Sequence, residues 1–161
     1  HSGWFERVAA WPLHGAGRAL ASKLAASNLS GRACPPIGFA GIDLSKNLQI
    51  KQSGLVIDRA TLFAHMPSNN AISMDEFAVL LHKDTQVTID PNLGWHTWGT
   101  DLCLQAFIRD DVDNAKILAI PFFHNSLNDY SLPDTYHSSA KILKQKWPQF
   151  QRIETLCGPI I

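Results

Sequence analysis

Apolar positions along the chain recur with two kinds of spacing. Trp4, Val8 and Trp11 return every three to four residues, and Leu20 and Leu24 lie one turn apart in the alanine-rich stretch from Ala16 to Leu29. That period predicts helix. Pro12 interrupts it, so residues 3–29 are expected as two helical pieces broken between Pro12 and Gly15. The helical period returns over Trp98 to Arg109, where Trp98, Leu102 and Ala106 share a face and Thr100 is a plausible N-cap. It returns again over Asp134 to Trp147, where Tyr136, Ala140, Leu143 and Trp147 share a face, and Pro148 ends that helix.

Other apolar runs are short and bounded by turn residues, which favours buried strands. Ile37 to Ile42 holds two glycines, which permit close backbone approach. Ser73 to His82 sets two acids before five apolar residues, and Lys116 to Phe123 is a third such run. Leu55 to Asp58 reads as an edge strand, between a polar loop over Asp43 to Gly54 and an irregular segment through Asn70. Lys83 to Pro91 reads as a turn, a brief strand and a proline stop. Asp110 to Asn114 reads as a turn, Ser126 to Pro133 as a loop, and Gln149 to Ile161 as a partly apolar tail. Mixed helices and strands of this kind predict an α/β or α+β layer architecture.

Composition narrows the function classes. The chain has 161 residues, the length of one domain, and 45% are apolar, as in a globular protein. Lysine plus arginine number 14 and aspartate plus glutamate number 14, with no block of like charge. That balance does not suggest a nucleic-acid partner. No apolar run approaches the roughly 20 residues that span a bilayer, and no basic-then-apolar leader opens the chain. The expectation is a soluble, cytoplasmic protein. The chain starts at His1, already at a helix start, which suggests a piece of something longer. Cys34, Cys103 and Cys157 are odd in number and far apart, so three reduced, mostly buried thiols are expected.

Candidate chemistry gathers between Asn92 and Ser126. Asp101 falls in the first turn of the expected helix, where the dipole and free N–H groups stabilise a carboxylate. It is open there to two roles, a helix-start acid and a general base. Trp95, His96 and Trp98 crowd three rings into the preceding loop, a common lining for a small-molecule or sugar site. His124 follows an apolar run, at the strand end where open α/β sheets bind ligands. Asp75 and Glu76, ahead of their strand, suit hydroxyl binding or activation. Asp111-Val112-Asp113 spells an acid-x-acid string but lies in a turn and reads as solvated. No pair of histidines has HExxH or HxH spacing.

In order, PPIGFAGI, MDEFAVLLHKD, GWHTWGTDLCLQA, IPFFHNS and the LKQKW helix resemble the second half of a family 2-like glycosyltransferase with the GT-A fold. The likeness spans about Pro35 to Trp147, roughly two-thirds of the chain. It implies a partial GT-A-like mixed sheet flanked by helices, within one domain over residues 1–161. The family's first half, a nucleotide-binding unit ending in an acid-x-acid metal motif, is absent, and residues 3–29 look like the helix that follows it. A missing N-terminal half or a partner chain would then complete the donor site.

The resemblance also implies roles. Asp101 matches the base that deprotonates the acceptor hydroxyl. His124 matches the histidine near the site of a divalent metal, Mn2+ or Mg2+, and the diphosphate. Asp75 and Glu76 match the acidic strand start beside the acceptor pocket, which Trp95, His96 and Trp98 would line. The implied reaction is inverting transfer from a nucleotide-sugar donor to a saccharide or other hydroxyl acceptor. Where the family often carries a second acid, this chain has Gly99 and Thr100. Two alternatives stand beside transfer: a non-catalytic carbohydrate-binding module that keeps the fold, and an unrelated metal-dependent hydrolase using His124, His96 and Asp101.

Overall fold

A computed structural model describes residues 33–44, 50–58, 61–124 and 131–161. The two helical pieces expected within residues 3–29 lie outside the described residues, as does most of the loop from Ser126 to Pro133. The described part is a mixed α/β structure with two sheets and two helices. In chain order the strands are β1 (Ile37–Gly38), β2 (Ala40–Leu44), β3 (Ile50–Asp58), β4 (Thr61–Ala64), β5 (Ala71–Met74), β6 (Val79–Leu80), β7 (Lys116–Ile117) and β8 (Phe122–His124). Helix α1 is Trp98–Phe107 and helix α2 is Asp134–Lys146, and a short 3-10 turn covers Pro91–Leu93.

Three apolar runs each cross from one sheet to the other. The first sheet has the order β6-β1-β7 and the second β4-β3-β2-β5, with β8 added alongside β3. The run from Ile37 supplies β1 to the first sheet, breaks at Phe39, and continues as β2 in the second. The run from Ala71 supplies β5 and then β6, and the run from Lys116 supplies β7 and then β8. Changing sheets is how strands make corners in packed β-layers. Two of the crossings have a local cause. Asp75 Oδ1 accepts from the Phe77 backbone N–H at 3.0 Å, an Asx turn that ends β5. Pro121 has no N–H to give a ladder, and the chain is unpaired just before β8.

Several expectations therefore change. Ser73 to His82 is not one strand but two, with the acids at the corner between them. Lys116 to Phe123 is likewise two short strands. The polar stretch before Gly54 is largely strand, because Ala40 to Leu44 pair in register with Gly54 back to Ile50. Leu55 to Asp58 are not at an edge: they run between β4, antiparallel, and β8, parallel. Gly54 is the pivot where β3 changes partners. Its φ is 116°, and a Cβ there would sit 2.1 Å from the Phe39 carbonyl oxygen. Close approach is also confirmed at Gly41, where a Cβ would lie 2.2 Å from the Ser73 carbonyl oxygen. No strand forms within Lys83 to Pro91, where Val87 is buried from a loop.

Helix α1 is buried on three sides. Cys103 packs with Ala71, Met74 and Ile117 on the sheet side. Leu102 and Ala106 pack with Val87 and Val112, and Trp98 joins them as the period predicts. Leu104 packs with Leu93, Leu143, Trp147, Ile153 and Ile160, which ties in α2 and the tail. No disulfide joins the three cysteines; Cys34 and Cys103 are buried and Cys157 is exposed. Among the described residues, no helix is long and apolar enough to cross a membrane.

Candidate functional site

The acidic corner after β5 meets the start of α1. Glu76 Oε1 accepts from the Gly99 backbone N–H at 3.1 Å. The helix is thus capped from outside, by a side-chain oxygen of Glu76. Thr100 is not the N-cap. Thr97 holds that position, with φ 62°, and its hydroxyl makes no capping bond. Thr100 lies inside the first turn, and its hydroxyl pairs with that of Ser73 at 3.0 Å. Gly99 is required by this contact: a Cβ there would stand 2.7 Å from the Met74 carbonyl oxygen and 3.3 Å from Glu76 Oε1.

The corner alters its own acidity. Burial pushes the Glu76 carboxyl up to about 8, and the neighbouring Asp75 charge adds to the rise against the Gly99 hydrogen bond. Asp75 is also raised, chiefly by burial, while the Phe77 N–H and His124 oppose the rise. Cys157, on the tail, is pushed up to about 11 by burial and then by the two carboxylates. Corner, helix start, α2 and tail enclose a cavity of about 20 Å³, with Asp75, Glu76, Thr97, Tyr136, Thr155 and Cys157 among its walls. A larger cavity of about 220 Å³ shares no wall with it. Its lining is mostly apolar, and its two charged residues, Arg152 and Glu154, bond each other.

Asp101 lies in the first turn of α1. It is completely buried, 0% exposed. Its Oδ1 accepts from the Trp147 indole N–H at 2.7 Å, and its Oδ2 from Lys146 Nζ at 2.9 Å and Gln105 Nε2 at 2.7 Å. These three donors tie α1 to the end of α2. An outside hydroxyl reaches this carboxylate only if those donors move.

The aromatic loop divides. Trp95 is 87% exposed. His96 Nε2 is 3.1 Å from Thr135 Oγ1, and its ring meets Tyr136 edge-on with centroids 5.9 Å apart. Trp98 turns inward and packs against the core. His124 stacks on Phe77, ring centroids 4.9 Å apart, and its Nδ1 lies 3.6 Å from Asp58 Oδ1. It acts on Asp75 through its charge, so Asp58, His124 and Asp75 share one electrostatic neighbourhood. Asp58 and His124 offer two metal donors. No group of three such ligands lies among the described residues. Among the described residues, His124, His96 and Asp101 do not gather as one ligand set either.

The structure thus brings Asp75, Glu76 and His124 toward one corner and sends Asp101 and Trp98 into the core. Sequence reasoning missed Thr97 and Tyr136 as walls of the cavity. Neither residue type marks such a wall in the sequence. No protein-family model matches the chain, and no curated protein matches it significantly.

Proposed function

We propose that this chain forms the acceptor side of a site for glycosyl transfer from a nucleotide-sugar to a hydroxyl. The observation that carries the reading is the corner itself: two adjacent carboxyl groups whose pKa values are raised, held against a helix start, beside the aromatic loop that exposes Trp95. Carboxylates that keep a proton near neutral pH suit proton transfer to or from a hydroxyl. Trp95 presents an open ring face of the kind on which sugars stack. The order of motifs along the chain supports the same reading.

In inverting transfer the acceptor O–H bond breaks as its oxygen bonds the sugar's anomeric carbon. The bond from that carbon to the diphosphate oxygen breaks, and the diphosphate leaves with the electron pair. The proton needs a carboxylate within hydrogen-bond reach. Asp101, the base by resemblance, is saturated with donors, which favours a bracing role for it. The acidic corner is the better source of the proton acceptor. A divalent ion would neutralise charge on the leaving diphosphate. His124 and Asp58 would be its donors here, and further ligands would have to come from outside the described residues.

The locked state of Asp101 equally favours the second reading, a carbohydrate-binding module without catalysis. One experiment separates the two. The chain, together with the donor-side half or partner chain that completes the site, is incubated with UDP-, GDP- and dTDP-sugars and a panel of methyl glycosides, and products are read by mass spectrometry. Transfer predicts a glycoside heavier by one sugar residue, with equimolar nucleoside diphosphate. Glycoside binding with no product from any donor supports the module instead.

A further inference from the structure

The small cavity at the acidic corner has five hydroxyl-bearing walls, and four are already engaged. Ser73 pairs with Thr100. Tyr136 and Thr155 pair at 3.3 Å, and Thr155 also donates to the Gly158 carbonyl at 2.6 Å. Thr97 is the exception. It is only 3% exposed, and its Oγ1 has no hydrogen-bond partner. A buried hydroxyl without a partner costs roughly 1–3 kcal/mol. Thr97 is also the only non-glycine described residue at positive φ, a strained conformation for a β-branched side chain. Strain and an orphaned hydroxyl therefore meet at one residue on the cavity wall.

Size restricts what enters. About 20 Å³ is room for one oxygen-sized group, since a single water needs roughly 10–15 Å³ by the same kind of measure. A sugar ring does not fit, but one hydroxyl of a sugar does. Glu76 borders the same space.

We propose that Thr97 and Glu76 together hold the reacting hydroxyl of the acceptor in this cavity, Thr97 Oγ1 donating to its oxygen and Glu76 receiving its proton. The inference rests on the glycosyl-transfer reading for its chemistry. On transfer the acceptor O–H bond breaks and the proton passes to a Glu76 carboxylate oxygen. The new C–O bond forms at the anomeric carbon of the nucleotide-sugar, and the diphosphate departs. The titratable groups that face Glu76 are Asp75 on the corner, Cys103 on α1, Tyr136 on α2 and Cys157 on the tail. Asp58 and His124 act at one remove, through Asp75.

Thr97→Val tests the inference, because it removes the hydroxyl and keeps the branched shape at the strained position. Binding of methyl α-D-glucopyranoside, methyl α-D-mannopyranoside and glycerol is titrated by calorimetry, and melting is followed without ligand. The variant is expected to melt higher than wild type and to bind the responding probe about tenfold more weakly. Thr97→Ser restores the hydroxyl and should restore binding. Equal binding by wild type and Thr97→Val overturns the inference, and so does a wild type that binds none of the three probes. The transfer assay reports separately: product formation with unchanged Thr97→Val binding removes the subsite and leaves the function. Weakened Thr97→Val binding without any product removes the function and leaves the subsite.

Discussion

The Trp147 indole N–H donates to Asp101 Oδ1 at 2.7 Å across the gap between α1 and the end of α2. The contact is fully buried and joins residues 46 apart in sequence. Lys146, beside Trp147, reaches the other oxygen of the same carboxylate and also Asp90 at 2.8 Å. One acid thus gathers a helix start, a helix end and the 3-10 turn that begins after Asp90. Asp101→Ala leaves an indole N–H and an ammonium without this partner, and is expected to destabilise the chain by about 3 kcal/mol. Urea denaturation measures it. Asp101→Asn keeps one acceptor oxygen and should lose less.

Glu76 makes stability depend on pH with a defined sign. Its folded value of about 8 lies above its ordinary 4.5, so between the two the folded state holds a proton that the unfolded state releases. The stabilisation it contributes is fully present below pH 4.5 and is lost as pH rises through about 8. Asp75, also raised, adds in the same direction. Glu76→Gln should match wild type near pH 4.5 and gain on it steadily toward pH 8. Melting curves across that range check the slope, and parallel curves would contradict the raised Glu76 pKa.

Gly99→Ala forces a Cβ to within 2.7 Å of the Met74 carbonyl oxygen, so α1 and β5 must separate. Overpacking of this kind costs about 1–3 kcal/mol. The same displacement pulls the helix N–H away from Glu76 Oε1. A lower urea midpoint together with weaker glycoside binding is expected, and an unchanged midpoint would mean that the contact is looser than described.

Much of the helical part was legible in the sequence, because α1 and α2 bury faces with a clean period. Trp98, Leu102 and Ala106 lie together as their spacing predicts, and α2 runs from Asp134 as expected. The strands were less legible. Their runs read as continuous because the residues are largely apolar, while the sheet changes at Asp75 and Pro121 depend on local backbone hydrogen bonding and not on hydropathy. Residues Ile50 to Gln52 looked like loop because all three are exposed on the first half of β3. The site was partly visible. Asp75, Glu76 and His124 were chosen from their positions beside strands, and they do approach one another. Trp98 carried no mark to distinguish a core ring from an exposed one. Thr97 carries its importance in a backbone angle and a missing partner, neither of which is written in residue type.

Trp95 stands 87% exposed at the tip of the aromatic loop, so its loss should leave the fold nearly unchanged, within about 0.5 kcal/mol. Trp95→Ala should still weaken binding of methyl glycosides several-fold, read by calorimetry against wild type. Undiminished binding would take the loop out of the site.

The most direct measurement compares Glu76→Gln with Asp101→Asn in sugar transfer, each at matched folded fraction and across pH 6 to 9. Loss of the proton acceptor is expected to lower the rate at least about 100-fold in Glu76→Gln. Wild type should rise with pH as the Glu76 carboxyl ionises near 8, and folded Asp101→Asn should follow the wild-type profile. Transfer by Glu76→Gln at the wild-type rate, or a folded Asp101→Asn protein without activity, would contradict the assignment of the chemistry to the acidic corner.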